Sequence, residues 1–279
     1  MSWFRVIISV AFQSIRKLKS DYRTWICATL VLIFIHSYTK GLTALCVYTG
    51  TKCSPWIFPF LYMQYYTKLL FFFPLVLIFS NAPFVDDNQL YVIARSGRIK
   101  WCIGQLIYIL TVSALYFIFI IIFSVLLNIK CIEFSNDWGK ILKTMASTDA
   151  GNQFSIGFYP DRKVIDLFTP EQAMWFTFLN SWLSGILLGL SSFLFNMAFK
   201  GSGPFAASFL LVFSAAAAKN LPVIKYSPVS WSTLNYIHIA KNDFFPEYSY
   251  VKSTYIMLIT FLCIIILVAF RKFNVDNKK

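Results

Sequence analysis

The chain has 279 residues, 58% hydrophobic and 13% charged, with 30 Phe and a net charge of +13. Soluble domains run at about 45–50% apolar and about 25% charged, so this composition excludes a cytosolic globular enzyme. It excludes disorder too, whose signature is low hydrophobicity. In so apolar a chain the charge reads as the Lys/Arg bias of cytoplasmic loops, and no DNA- or RNA-binding motif accompanies it.

Long apolar runs, in place of short alternating segments, predict helices rather than a transmembrane barrel. The expectation is an all-α membrane protein in a single domain, residues 1–279. Residues 1–24 come first. Phe4, Ile7, Ile8, Ala11, Ile15 and Leu18 recur at helical spacing, while Arg16, Lys17 and Lys19 suit anionic headgroups. This predicts an interfacial helix. Arg5 and Gln13 interrupt its apolar stretch and no A-x-A pattern follows, which argues against a signal peptide.

Six apolar runs follow, at 25–42, 64–82, 101–127, 173–197, 204–218 and 254–270. Each is read as a span, the fifth being short and breaking near Pro222. With the N-terminus inside, the inner segments hold 13 Lys or Arg in 57 residues, and the outer segments 10 in 101. The density predicts both termini in the cytoplasm. Lys40 and Lys68 lie near outer span ends and are expected to snorkel.

The inner loop after the second span carries Asp86 and Gln89 at capping-box spacing, with Asp87 beside them and a stop at Ser96–Gly97. A short cytoplasmic helix over 84–98 follows, either a solvated connector or a docking surface for a cytoplasmic partner. The outer segment 128–172 places Trp138, Ile141, Leu142 and Met145 on one helical face, with Ser135 or Asn136 as cap. Thr169–Pro170–Glu171–Gln172 caps the fourth span. Prolines and aromatics in 219–253 predict re-entrant or interfacial pieces before the last span. In the fourth span Ser181, Gly185 and Gly189 stand four apart, a stripe that lets helices approach closely.

Catalytic chemistry is missing. The span centres hold no Asp, Glu, Lys or Arg, and His36 is their one ionisable group. No phosphate loop, H-E-x-x-H or G-x-S-x-G occurs, so the chain is read as no enzyme, with no metal and no cofactor of its own. Of six cysteines, Cys27, Cys102 and Cys263 read as small apolar residues in or at spans. Cys46, Cys53 and Cys131 fall in outer segments. Cys46 and Cys53 are near enough in sequence to bridge, while a third outer thiol weakens a disulfide framework.

Assembled, the pieces resemble a type-2 ABC-exporter permease, the transmembrane subunit of a split bacterial transporter. The residues carrying the resemblance are ARSGRIKWCIGQLIYI, 94–109, where a basic tail runs into the third span through Trp101 and Gly104–Gln105. The resemblance implies half of a translocation pathway in the plasma membrane, for an amphipathic or hydrophobic cargo such as a peptide, lipid or drug. It implies a separate cytoplasmic ATPase carrying ATP and Mg, a second permease, and contact with membrane lipid but not nucleic acid. It makes 84–98 a coupling helix, with Phe84, Asp86, Asp87, Leu90, Tyr91, Ile93, Arg95 and Arg98 meeting the ATPase. The external segment is longer than the family's minimal members carry. The competing readings are a secondary carrier or channel without an ATPase, and a membrane-embedded accessory protein.

Overall fold

The pattern of apolar runs is realised as helices throughout. The structure, a computed structural model, describes residues 3–82, 87–199, 201–219, 221–237 and 245–272. In chain order the helices are α1 (Trp3–Leu18), α2 (Tyr22–Thr39), α3 (Leu42–Thr49), α4 (Tyr65–Ile78), α5 (Asp87–Ser96) and α6 (Arg98–Leu126). Then come α7 (Gly139–Ser147), α8 (Ala150–Gln153), α9 (Arg162–Leu167), α10 (Pro170–Ala198), α11 (Gly203–Ala217), α12 (Leu221–Ile224) and α13 (Tyr248–Lys272). Short 3-10 turns lie at Phe58–Phe60, Ile129–Cys131, Pro228–Ser232 and Leu234–Tyr236. No strand is present among the described residues; Cys53 and Ile132 form an isolated parallel bridge. The protein is all-α, with four helical stretches long and apolar enough to cross a membrane: 22–49, α6, α10 and 248–271.

Helices α6 and α10 have 29 residues each, about 44 Å at ~1.5 Å per residue. Helices α4 and α11 have 14 and 15, only about 21–23 Å. The two short helices pack side by side, and both lie against α10. The first apolar helix is longer than the sequence predicts. Asp21 caps it, accepting from Arg23 N–H at 3.0 Å, and α3 continues it over residues expected to form an outer loop.

Helix α1 divides into three faces. Ile7, Val10, Ala11 and Ser14 are buried against the start of α6. A Cβ on Gly104 would lie 2.7 Å from Val10 Cγ1, so only glycine permits this approach. Gln105 Nε2 donates to Ser14 Oγ at 3.0 Å. Phe4, Ile8 and Phe12 form a second, exposed stripe, and Arg5, Ser9, Gln13 and Arg16 a third. At the same end Trp101 of α6 stacks on Phe270 of α13, centroids 5.2 Å apart, so the first and last helices both pack on α6. The opposite end carries residues 50–63, the module 128–169 and the turns 228–236.

Candidate functional site

The sequence singled out the helix between the second and third apolar runs. Helix α5 forms there and stops where expected. Ser96 Oγ donates to Val92 O at 2.6 Å, and Gly97, at φ 86°, turns the chain into α6. The positive φ favours glycine because a Cβ would be strained there. Tyr91, Arg95 and Arg98 are exposed, Tyr91 at 79%. Ile93 is buried in the chain's own core, which leaves Tyr91 to offer apolar surface outward. Phe84 and Asp86 lie outside the described residues, as does the expected cap. Asp87 and Leu90 are placed on the helix by their backbone alone.

The chain leading into α5 is anchored in a way the sequence did not announce. Ser80 Oγ accepts from Arg23 Nη1 at 3.1 Å. Asn196 Nδ2 donates to Ser80 O at 2.9 Å and Ala82 O at 2.5 Å, while its Oδ1 accepts from Gly203 N at 2.7 Å. Arg23 and Asn196 thus bind the turn at Ser80–Ala82, ahead of α5, to α2, α10 and α11. No spacing signal connects residues so far apart in sequence.

At the other end the structure corrects the reading of Lys68. It does not snorkel. It is 1% exposed, because the turns 228–236 fold over it. Its Nζ donates to Ser230 O at 3.0 Å and Thr233 Oγ1 at 3.5 Å, and lies 5.1 Å from the Tyr236 ring centroid. Every one of these partners is neutral. A polar belt continues around it. Tyr62 OH and Ser181 Oγ are 2.6 Å apart, and Ser181 also reaches Ser232 O. Tyr255 OH lies 2.6 Å from Ser184 Oγ and donates to Pro228 O. Burial pushes the Tyr62 and Tyr236 hydroxyls up from the usual tyrosine range, so they stay protonated. Lysine in YYTKLL was visible in the sequence; that a distant segment covers it was not.

The Ser181–Gly185–Gly189 stripe faces inward. A Cβ on Gly185 would meet Leu75 Cδ2 at 2.9 Å, and one on Gly189 would meet Ile109 Cγ2 at 2.6 Å. Its partners are α4 and α6 of the same chain. His36 is exposed on α2.

The module 128–169 is folded, with Trp138, Ile141, Leu142 and Met145 buried. Neither Ser135 nor Asn136 caps α7. Trp138 occupies the cap position without a side-chain bond, and Gly139 at φ 71° delays the helix. Asp137 takes up the local donors instead, accepting from Trp138 N–H and from Lys143 Nζ, both at 2.8 Å. The Lys143 bond, then the Trp138 bond, hold its carboxyl below the usual range. Trp138 Nε1 donates to Phe168 O at 3.0 Å, and the Thr169–Gln172 capping box is fully formed. Between α7 and α9 lies an open cleft of about 730 Å³. The cleft's charges come in pairs, Asp137 with Lys143 and Arg162 with Asp166. Cys46, Cys53 and Cys131 are buried at the base of the module rather than solvent-facing. Among the described residues no His, Cys, Asp or Glu group is arranged to hold a metal.

No family model, curated protein or solved structure matches the chain.

Proposed function

We propose that the chain is the permease subunit of an ATP-driven exporter of the type-2 ABC class, forming half of a translocation pathway in a bacterial plasma membrane. Its six apolar helices (residues 22–49, α4, α6, α10, α11 and α13) each span, with both termini and α5 in the cytoplasm. Two permeases and a separate ATPase, which carries ATP and Mg, complete the transporter. Its cargo is amphipathic or hydrophobic, a peptide, lipid or drug.

The observation that supports this reading is the α5–α6 corner. A ten-residue helix exposes Tyr91 and Arg95 and turns at a glycine into the 29-residue α6, and the chain at Ser80–Ala82 ahead of it is tied to three other helices through Arg23 and Asn196. An element held this way transmits a push without unwinding. Closure of the ATPase against α5 would tilt the bundle and switch the pathway between inward and outward access. The charges at its ends set docking register more than affinity.

The test replaces Asp86, Asp87 and Arg95 with Ala together, leaving Arg98 and Lys100 to hold topology. ATPase association or transport falls while membrane insertion persists. Unchanged association and transport in the correctly inserted triple mutant refute the coupling role. The buried Lys68 is the observation favouring a carrier or channel, since ionisable groups inside membrane proteins mark ion or substrate paths. Transport by the purified chain in vesicles without any ATPase selects that reading.

A further inference from the structure

Three cysteines, Cys46 and Cys53 near in sequence and Cys131 far from both, meet at the base of the external module. Cys46 belongs to α3, Cys131 closes the turn after α6, and Cys53 sits between them on the isolated bridge. All three are buried, at 7%, 6% and 0% exposure. The backbone fixes their approach. Cys53 N–H donates to Cys131 O at 2.8 Å, and Glu133 N–H donates to Cys53 O at 2.8 Å.

The sulfurs are not equivalent. Cys46 Sγ donates to Cys131 O at 3.8 Å, across 85 residues of chain. Cys53 is held through its backbone, paired with Ile132 on the bridge. Adjacency in sequence pointed to Cys46 with Cys53. Contact in space brings in Cys131, whose carbonyl the Cys46 thiol reaches.

We propose that Cys46 and Cys131 are a disulfide-forming pair on the oxidising face of the membrane, with Cys53 left as a free thiol. The placement on that face rests on the orientation given under Proposed function; the pairing rests on the geometry alone. The chemistry is exchange with an external disulfide, RS–SR, of a protein or small molecule. One thiolate of the pair attacks it, forming a mixed disulfide and releasing RS⁻. The second thiolate attacks the mixed disulfide at the cysteine sulfur and expels the other RS⁻. The two protons lost by the pair end on the two RSH, and the external disulfide is reduced. The new bond joins residues 85 apart and staples α3 to the exit of α6, directly beneath the external module. Closing so long a loop removes freedom chiefly from the unfolded chain.

The experiment uses the full chain in detergent, equilibrated in a mixed reduced and oxidised glutathione buffer, then trapped with N-ethylmaleimide, denatured and digested. The expected result is a linked peptide carrying Cys46 and Cys131, with Cys53 alkylated. Cys53→Ser forms the same link, and Cys46→Ser and Cys131→Ser each abolish it. Six alkylated cysteines in the wild-type chain overturn the pairing, and so does a linked peptide that contains Cys53. The same trap applied to intact cells reads the side of the membrane. A link there supports the oxidising face. A link in the purified chain with six free thiols in cells overturns that placement, and the orientation falls with it, while the pairing stands.

Discussion

Gly189 is the position where adding one carbon tests the packing of the bundle most directly. In Gly189→Ala the new Cβ would sit 2.6 Å from Ile109 Cγ2 and 3.1 Å from the Phe79 ring. Ile109 Cγ2 is a branched methyl fixed close to the α6 backbone, so relief requires a helix shift rather than a rotamer change. At Gly185 the nearest atom, Leu75 Cδ2 at 2.9 Å, ends a flexible side chain that moves at less cost. Overpacking a filled core costs about 1–3 kcal/mol. Gly189→Ala is expected toward the upper end and Gly185→Ala toward the lower. Purified variants are compared by thermal unfolding in detergent and by titration with a denaturing detergent. A double-mutant cycle isolates the clash. Ile109→Ala alone costs about 2–5 kcal/mol, because Ile109 is fully buried. Paired with Gly189→Ala it removes the obstructing methyl, so the double mutant loses less than the sum by about 0.5–3 kcal/mol. Wild-type stability in Gly189→Ala, or strict additivity in the cycle, refutes the close α6–α10 approach.

Lys68→Met keeps the stem and removes an ammonium that has only neutral partners; replacing a buried charge this way is often neutral or stabilising by about 1–4 kcal/mol. Stability retained with transport lost marks Lys68 as functional, whereas a large loss of stability shows that the ammonium pins the turns 228–236 structurally. Thr169→Ala breaks the capping box of α10 and is expected to cost about 1 kcal/mol in thermal unfolding, with Thr169→Ser close to wild type. The Asp137 carboxyl titrates lower in the folded protein than in the unfolded chain. Its contribution is therefore complete above the usual carboxylate range and disappears as pH falls through the folded value. The pair is exposed, so the effect is small, and Asp137→Asn abolishes it in a pH series of melts. A cysteine at Lys140 reacts with an impermeant thiol reagent from outside and one at Ser20 only from inside; the opposite labelling reverses the orientation.

What was legible in the sequence is what local patterns encode. The capping box at Thr169–Gln172 needs only four adjacent residues, and both of its bonds are made. The stop at Ser96–Gly97 needs a glycine in the right place. The stripe at Ser181, Gly185 and Gly189 is a one-helix pattern, and its burial follows from it, but its partners on α4 and α6 do not. The start of α7 was misplaced because Ser135, Asn136 and Asp137 all have capping chemistry, and the choice among them falls to Lys143 and to the φ of Gly139. Lys68 was misread for a similar reason. A lysine near a span end snorkels when water is within reach, and only the fold of residues 228–236 removes the water. The anchoring of the chain ahead of α5 by Arg23 and Asn196 is tertiary in the same sense, since each reaches a backbone or hydroxyl group in the turn after α4.

In the proposed six-span topology the short helices and the covered lysine have one physical origin. At about 21–23 Å, α4 and α11 fall short of a hydrocarbon core of about 30 Å. In the proposed topology, where both helices span, the remaining depth must be filled by chain whose backbone bonds are satisfied without a helix, and lipid supplies none. Residues 228–236 meet that demand with serine and threonine. Ser230 Oγ donates to Ser214 O, Ser232 Oγ to Val229 O, and Thr233 Oγ1 to Ser230 O. Trp231 is buried at their centre and donates its indole N–H to Ile224 O at 2.9 Å. Hydroxyl bonds of this kind are individually weak and exchange partners by simple rotation, unlike the interdigitated methyls of the α6–α10 contact. The bundle therefore has one end set rigidly by glycine packing and another closed by a polar cover. In the proposed transporter a push on α5 reaches the second end through α10 and α11, the two helices that Asn196 joins and on which the cover rests. Lys68, held by that cover alone, is the residue whose surroundings would change most when it lifts.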